Sequence, residues 1–408
     1  MEKKFNILVF NCGSSSLTYK VFEVRNSQVV DVVLSGKCHR VGVKGSELSF
    51  IETLHNGEVN KEVFPIRNHE EAASLVFKFI ETVNLKIDYI GHRFVHGGTF
   101  FQSSAYINDA NLTKLKLCRP LAPIHNPNSL SVINKSKRII PKVTQYVTFD
   151  SSFHSTLPDY AYTYALPKSI MDKYEFRKYG FHGLSFQYVI KEASKFLKLP
   201  LNSLKIVACH LGTGGSSVVA VNNGCSLDTS LGFSPLPGLV MSTRSGDIDP
   251  MLAIYLMTTY GYRSEDLMEM LSERSGLLGI SGFSSDIRDI IKKFSESEVE
   301  EGQAELAFNM YVHRLKKYIG SFIVALRGID VLIFTDDIGV HNWLVREKVC
   351  ENMEWIGLLI DKEANHKVLG ESTSLISSID SSVKVLTIPT EEELVICEEG
   401  IKLIRETK

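Results

Sequence analysis

Apolar and polar positions fall in blocks along this chain, and the first block already defines a pair of elements. Phe5-Asn6-Ile7-Leu8-Val9-Phe10 reads as an apolar strand, Asn11-Cys12-Gly13-Ser14-Ser15-Ser16 as a small hydroxyl-rich turn, and Leu17-Thr18-Tyr19-Lys20 as the start of a second strand. Glycine in such a turn permits a close backbone approach that a Cβ would block. The serine hydroxyls and turn N–H groups can converge on an anion. Turn chemistry alone fits an ordinary tight hairpin equally well. The pattern recurs, however, in Lys205-Ile206-Val207-Ala208-Cys209-His210-Leu211, Gly212-Thr213-Gly214-Gly215 and Ser216-Ser217-Val218-Val219-Ala220-Val221. Two such hairpins half a chain apart predict a duplicated domain. A third apolar strand, Val331-Leu332-Ile333-Phe334-Thr335, leads into Asp336-Asp337-Ile338-Gly339-Val340-His341, read as a turn with carboxylates where small residues are expected.

Further strands are predicted at 6–10, 17–24, 29–34, 47–51 and 87–91, and helices at 70–83 and 111–117. Phe308, Tyr311, Val312, Leu315, Ile319, Phe322, Ile323 and Leu326 recur every three or four residues, predicting a long amphipathic helix that feeds the 331–335 strand. The acidic run at 296–301 reads as a solvated loop or helix start. A last apolar strand, 383–388, precedes Pro389-Thr390-Glu391-Glu392-Glu393 and a return to the first domain. With no low-complexity linker, the junction is placed near Asp150-Ser151-Ser152, giving one domain of 1–152 plus 386–408 and a second of 153–385.

The length of 408 residues suits two such domains. A net charge of −2 offers no field for nucleic acid or an anionic membrane. No apolar run approaches the roughly 20 residues a membrane span needs, and the N-terminus has neither signal-peptide nor transit character. Seven cysteines without a C-x-x-C pair argue against a disulfide framework and a zinc site, and for a cytoplasmic protein. Cys12, inside the first turn, is read as a packing residue rather than a reactive thiol.

Between the hairpins, polar groups gather among rigid or permissive neighbours. Arg93 precedes a double glycine in Gly91-His92-Arg93-Phe94-Val95-His96-Gly97-Gly98, suiting bidentate capture of a carboxylate or phosphate, with a surface ion pair as the simpler alternative. His125 lies between two prolines in Ala122-Pro123-Ile124-His125-Asn126-Pro127. Asp150 closes an apolar strand, His182 is set in Gly180-Phe181-His182-Gly183, and Arg244 sits in Met241-Ser242-Thr243-Arg244-Ser245-Gly246-Asp247-Ile248-Asp249-Pro250. Together with two phosphate-type turns, these are the ingredients of phosphoryl transfer: donors, cations and oxygen ligands for magnesium.

As a set, and along essentially the whole chain, these segments resemble the acetate kinase family of the sugar kinase/hsp70/actin superfamily. The match rests on Asn11 to Leu17, Met241 to Pro250, Phe181-His182-Gly183 and Ala122 to Pro127. The resemblance implies an α/β fold of two ribonuclease-H-like domains, an active-site cleft between them, a homodimer, and small-molecule partners: acetate, acetyl phosphate and a phosphate acceptor. Carried over by position, it implies that Arg93 binds the carboxylate and Asp150 is the acid/base or orienting group. His182 and Arg244 stabilise the transferring phosphoryl group, and His125 helps hold it. Asn11 and Glu392, with Glu393 as the alternative, serve magnesium, while Val95, Ile124, Phe181 and Pro235 form the methyl pocket.

The departures from the family lie on the phosphate side, where Ser14, Ser16, Thr18, His210, Gly212, Thr213, Gly214, Asp286, Arg288, Asp337 and Gly339 are the candidate residues. ATP-using members carry a basic residue at Thr18, an Asn at Thr213, and T-A-G-I-G-E-N where this chain has Thr335-Asp336-Asp337-Ile338-Gly339-Val340-His341. A carboxylate a few Å from a phosphate is unfavourable by about 1–4 kcal/mol at intermediate dielectric, enough to weaken binding tenfold or more. Lys20, on the Thr18 face of the strand, offers a cation in its stead. Leu184 and Phe186 also depart from the usual Thr and His, without a sequence-level explanation. The pattern looks most like the diphosphate-dependent branch, in which phosphate and diphosphate replace ADP and ATP. The alternatives are an ATP-dependent acetate kinase using Asp286-Ile287-Arg288 at the purine, and a catalytically silent binding or regulatory protein.

Overall fold

The computed structural model describes residues 4–43, 48–296 and 302–406. Most of the acidic run at 296–301, and Glu47 of the strand expected at 47–51, lie outside these residues. The chain divides into two compact units, one of Met1–Ser155 with Glu391–Lys408 and one of Thr156–Thr390.

The first unit is built on β1 (Lys4–Cys12), β2 (Ser16–Arg25), β3 (Gln28–His39), β4 (Phe50–His55), β5 (Glu58–Val63), β6 (Tyr89–Phe94), β7 (Ala105–Tyr106) and β8 (Thr144–Phe149). Their order across the sheet is β5-β4-β3-β2-β1-β6-β8-β7. Hairpin neighbours from β5 to β1 pair antiparallel, whereas β6 joins β1, and β8 joins β6, in parallel. β1 reads as a nearly continuous apolar run because both of its faces are covered. The edge strand β5 is exposed throughout and carries Glu58, Lys61 and Glu62, charges that discourage edge-to-edge pairing. The helix His69–Thr82 starts at Asn68, whose side chain accepts from the Glu71 N–H, and buries Ala72, Ala73, Val76, Phe77 and Ile80 against the sheet. The C-terminal helix Glu392–Glu406 packs on β1, β6 and β8. It is fastened by Tyr146, whose hydroxyl donates to the Ile396 carbonyl at 2.9 Å.

The second unit repeats the scheme with β9 (Lys205–Leu211), β10 (Ser216–Asn222), β11 (Cys225–Thr229), β12 (Val331–Thr335), β13 (Ser374–Leu375) and β14 (Lys384–Ile388), ordered β11-β10-β9-β12-β14-β13. The five strands β3-β2-β1-β6-β8 and β11-β10-β9-β12-β14 thus share order and sense, the duplication that the paired hairpins predict. The expected amphipathic helix runs over Gly302–Leu326 and buries Phe308, Tyr311, Leu315, Ile319, Phe322, Ile323 and Leu326 in the core of this unit, while Val312 is partly covered. Each such aliphatic or aromatic side chain contributes about 1.5–3 kcal/mol relative to an exposed one.

Two sequence expectations change. β14 extends to Ile388 within the second sheet, so the chain re-enters the first unit at Glu391 rather than at 386. The segment expected as a turn after β12 is a short helix, Asp336–His341, whose first residue has left-handed backbone at φ 63°. Among the described residues no helix is long and apolar enough to cross a membrane.

Candidate active site

Both hairpin turns close in the same way. Gly13 N donates to Ser16 O at 2.9 Å and Gly212 N to Gly215 O at 3.1 Å. In the first, Ser14 is exposed and Ser16 and Thr18 are half-buried; Cys12 is buried, and burial pushes its thiol up to about 12, consistent with packing.

Next to this turn, Arg93 at the end of β6 is the centre of a polar network. Its Nε and Nη2 donate to the two oxygens of Asp150 at 2.8 and 2.6 Å, and its Nη1 donates to Asn11 Oδ1 at 3.0 Å. The register of β6 on β8 and β1 explains this meeting: Arg93 lies opposite Thr148, two residues before Asp150, and one residue beyond the His92 that pairs with Phe10. Burial opposes the guanidinium charge, but Asp150 and then Glu392 hold it well above the ordinary arginine value. Of the five N–H donors of a guanidinium, three are engaged here, leaving one on each Nη. Asn11 Nδ2 in turn donates to Glu392 Oε2 at 2.9 Å and to Glu393 Oε1 at 2.8 Å. The two glutamates considered for one metal role therefore share a neutral donor. Among the described residues no three His, Cys, Asp or Glu side chains form a metal cluster. The two carboxylates face the Asn11 amide nitrogen while its oxygen is held by Arg93, and a pair of carboxylates fits a hard cation that keeps several waters and binds only one or two carboxylates. Lys20, the candidate replacement cation, instead pairs with Glu391 at 2.7 Å and lies 3.7 Å from Glu393.

Asn126, which sequence reasoning passed over, is fully buried and braces this end of the unit. Its Nδ2 donates to the carbonyls of His96 and Cys118 at 3.1 and 2.7 Å, and its Oδ1 accepts from His96 N at 3.3 Å. His125, half-buried, immediately precedes the helix Asn126–Ile139, with its N–H on Ala122 O at 3.1 Å. Val95 is buried and Ile124 exposed in this unit; Phe181 is buried and Pro235 half-buried in the other.

In the second unit His182 also has left-handed backbone, φ 59°, at the start of the helix Gly183–Leu197. Its Nδ1 pairs with Ser217 Oγ at 2.8 Å, and its ring stacks on that of His210 at 4.1 Å. His210, at the end of β9, pairs through Nδ1 with Ser185 Oγ at 2.9 Å and through Nε2 with Asp336 Oδ2 at 3.1 Å. Phe186, the unexplained departure, is buried with its ring in a T-shaped contact with that of His210, and Leu184 is fully buried in the same helix. A Cβ at Gly215 would lie 3.1 Å from Arg244 Nη1 and 3.6 Å from His182 Nε2, so both side chains converge on the second turn. The Arg244 loop is held where Gly276, at φ 61°, comes so close that a Cβ would sit 2.2 Å from the Met241 carbonyl. Burial lowers the Arg244 pKa from the ordinary guanidinium value.

The same turn meets the departing loop. A Cβ at Gly212 would fall 2.1 Å from Asp336 Oδ2, so that carboxylate lies directly against the turn. Thr213 and Gly214 are exposed, and a Cβ at Gly214 would meet open space. Arg288 is bonded at 2.6 Å to Asp286, which with the nearby Asp337 raises the guanidinium pKa. Gly339 is buried in the short helix.

Residues 6–398 match the Acetokinase family. An acetate kinase of Thermoanaerobacter pseudethanolicus is 42% identical over 98% of this chain and all of its own length. The crystal structure of acetate kinase from Entamoeba histolytica superposes with a TM-score of 0.88 at 42% identity, covering 98% of this chain and 100% of that one. That of Porphyromonas gingivalis acetate kinase gives 0.86 at 36% identity, with 98% and 100% covered. The two-unit α/β architecture, the arginine and histidine clusters and these matches agree, and the chain belongs to the acetokinase family of carboxyl-group phosphotransferases.

Proposed function

We propose that this family member is a magnesium-dependent acetate kinase of the diphosphate type, in which acetyl phosphate and phosphate give acetate and diphosphate by direct in-line transfer, and the reverse. The observation that carries the choice of partner is Asp336: its carboxylate lies against Gly212 and on His210 Nε2, where ATP-using members have a small residue. A fixed negative charge beside the phosphate turn disfavours the extended polyphosphate of a nucleotide more than a single phosphate. Asp337, the second carboxylate of that loop, lies close to Arg288.

The remaining roles follow from the two clusters. Arg93, already oriented by Asp150 and Asn11, would take the substrate carboxylate on its two remaining N–H groups. Acetate is an anion near neutral pH and needs orientation more than deprotonation, so Asp150 serves chiefly to aim Arg93. Arg244 and His182, the latter oriented by Ser217, would spread the charge of the transferring phosphoryl oxygens. His125 assists in holding the phosphate, and Val95, Ile124, Phe181 and Pro235 border the methyl group. Asn11, Glu392 and Glu393 would hold magnesium, which when bound neutralises phosphate charge.

The nucleotide-using reading has its own support. The relatives described above carry the unqualified name acetate kinase, and nothing in those names singles out diphosphate. In that reading Asp286-Ile287-Arg288 would border the purine. The deciding experiment supplies acetyl phosphate and magnesium with either inorganic phosphate or ADP, and assays diphosphate and ATP separately. Diphosphate with little ATP is expected; ATP with no diphosphate would establish the nucleotide reading instead.

The partner set includes a second copy of the chain. The helix Pro250–Tyr260 carries no charged residue and buries none of its side chains, with Met251, Leu252, Ile254, Tyr255 and Met257 all exposed. An uncharged apolar face of this kind marks an interaction surface, and a homodimer is the commonest way to cover one. Cytoplasmic location is part of the same proposal.

A further inference from the structure

Arg346 is among the largest fully buried side chains of the molecule, at 1% exposure, and has no acidic partner among the described residues. It lies in the helix Trp343–Cys350. Its Nη1 donates to the carbonyls of Gly339 and Val340, at 3.0 and 2.5 Å, the last turn of the helix Asp336–His341. Its Nε and Nη2 donate to Asn365 Oδ1 and O, at 2.7 and 2.9 Å. Asn365 is fully buried as well, and its Nδ2 donates to the Trp343 carbonyl at 2.9 Å. Burial pulls the Arg346 pKa down to about 10, so the group remains charged at neutral pH.

A buried cation held only by neutral oxygens is costly. Its position here is informative: it answers the negative end of the short helix whose opposite end carries Asp336 and Asp337. Six residues make fewer than two turns, too few to hold a register by their own hydrogen bonds. The left-handed backbone of Asp336 adds a strained joint at the entry. The guanidinium therefore fixes the far end of a segment whose near end lies against Gly212.

We infer that Arg346, with Asn365, is a positioning residue that sets where the Asp336 carboxylate stands against the phosphate turn, and so sets how the enzyme discriminates its phosphate-side partner. The inference rests on the reading of that turn as the phosphate side, but not on which partner is used. Arg346→Met removes the charge and the bonds while keeping an unbranched buried chain. Steady-state kinetics would be measured with inorganic phosphate and with ADP, beside the KM for acetyl phosphate and a thermal melt. The expected result is a tenfold or larger change in KM for the working acceptor, with the acetyl phosphate KM within twofold. In the Asp336→Ala background the same substitution should change the acceptor KM less than threefold. Equal shifts in both KM values, or full additivity with Asp336→Ala, would reduce Arg346 to a general structural role and overturn the inference. If Arg346→Met does not fold, Arg346→Lys, which keeps the charge but cannot span both the carbonyls and Asn365, decides by the same split. Failure of the diphosphate reading would appear separately, as activity with ADP in the unmodified protein.

Discussion

The carboxylate of Asp336 stands 3.1 Å from Nε2 of His210, two residues 126 positions apart that meet because β9 and β12 are parallel neighbours with Thr335 opposite His210. This contact holds the Asp336 carboxylate against the second hairpin turn, which the proposed function reads as the phosphate side. Asp336→Ala removes that charge and leaves Ser185 as the remaining fixed partner of the His210 Nδ1. Affinity for ADP should then rise about tenfold, corresponding to about 1.4 kcal/mol of relieved repulsion. Isothermal titration of ADP into both proteins measures it, and an unchanged or weaker affinity would show that the carboxylate does not exclude nucleotide.

Arg93 binds Asp150 through two N–H groups, a geometry that an ammonium cannot reproduce. Arg93→Lys should raise the KM for acetyl phosphate and for acetate at least tenfold, while the phosphate acceptor KM stays within about twofold. Steady-state titration of each substrate separates the two. A change confined to the acceptor would reverse the assignment of Arg93.

Arg244 makes one long hydrogen bond within its unit, to Pro235 O at 3.5 Å, so little stability depends on its side chain. Arg244→Ala should lower kcat by about 10²–10³, with folding stability changed by no more than about 1 kcal/mol. Rapid-quench measurement of acetate release would detect the loss, and unchanged turnover would remove Arg244 from the reaction.

His92 provides a pH dependence of stability that is separate from catalysis. It is 1% exposed, stacks on Phe10, and pairs with Gln145 Oε1 at 2.9 Å; burial pulls its pKa from 6.5 to about 4. The unfolded chain therefore binds a proton that the folded one refuses. The contribution is whole above pH 6.5 and disappears as pH falls from 6.5 through 4, up to about 3 kcal/mol. Denaturant midpoints across that window should fall less steeply for His92→Gln than for the unmodified protein. Parallel slopes would mean that His92 is not the group responsible.

The repeated hairpins, the 302–326 helix and the turn residues were legible in the sequence because each is set by nearby residues: strand alternation, glycine-serine turns and three-four spacing. Asn126, Ser217 and Arg346 were not legible, because their roles depend on partners set by strand register and helix packing. His182 and Ser217 are 35 residues apart and Arg346 and Asn365 19 apart, with no periodic signal linking them. A buried arginine within Trp343-Leu344-Val345-Arg346 reads locally as the polar face of a helix. The carboxylates after β12 were visible as an oddity, but the left-handed residue that makes them a helix start was not, since aspartate is compatible with that conformation without requiring it. The helix Pro250–Tyr260 was not singled out in the sequence, because an apolar run does not by itself say whether it faces a core, and the structure leaves none of its residues buried.

That exposure gives a prediction about assembly. Leu252→Glu with Tyr255→Glu places charge on the uncovered face and should convert a dimer to a monomer at micromolar concentration by sedimentation velocity, with the melt unchanged. A monomeric unmodified protein would leave that face without the partner assigned to it.

The central claim concerns the phosphate acceptor, and direct competition tests it. A phosphorus-31 spectrum would follow acetyl phosphate and magnesium turning over with equimolar inorganic phosphate and ADP in one tube. Growth of the single diphosphate resonance, with the ADP signals unchanged, is the predicted result. Appearance of the three ATP resonances without diphosphate would contradict it and make Asp336 a neighbour that nucleotide tolerates.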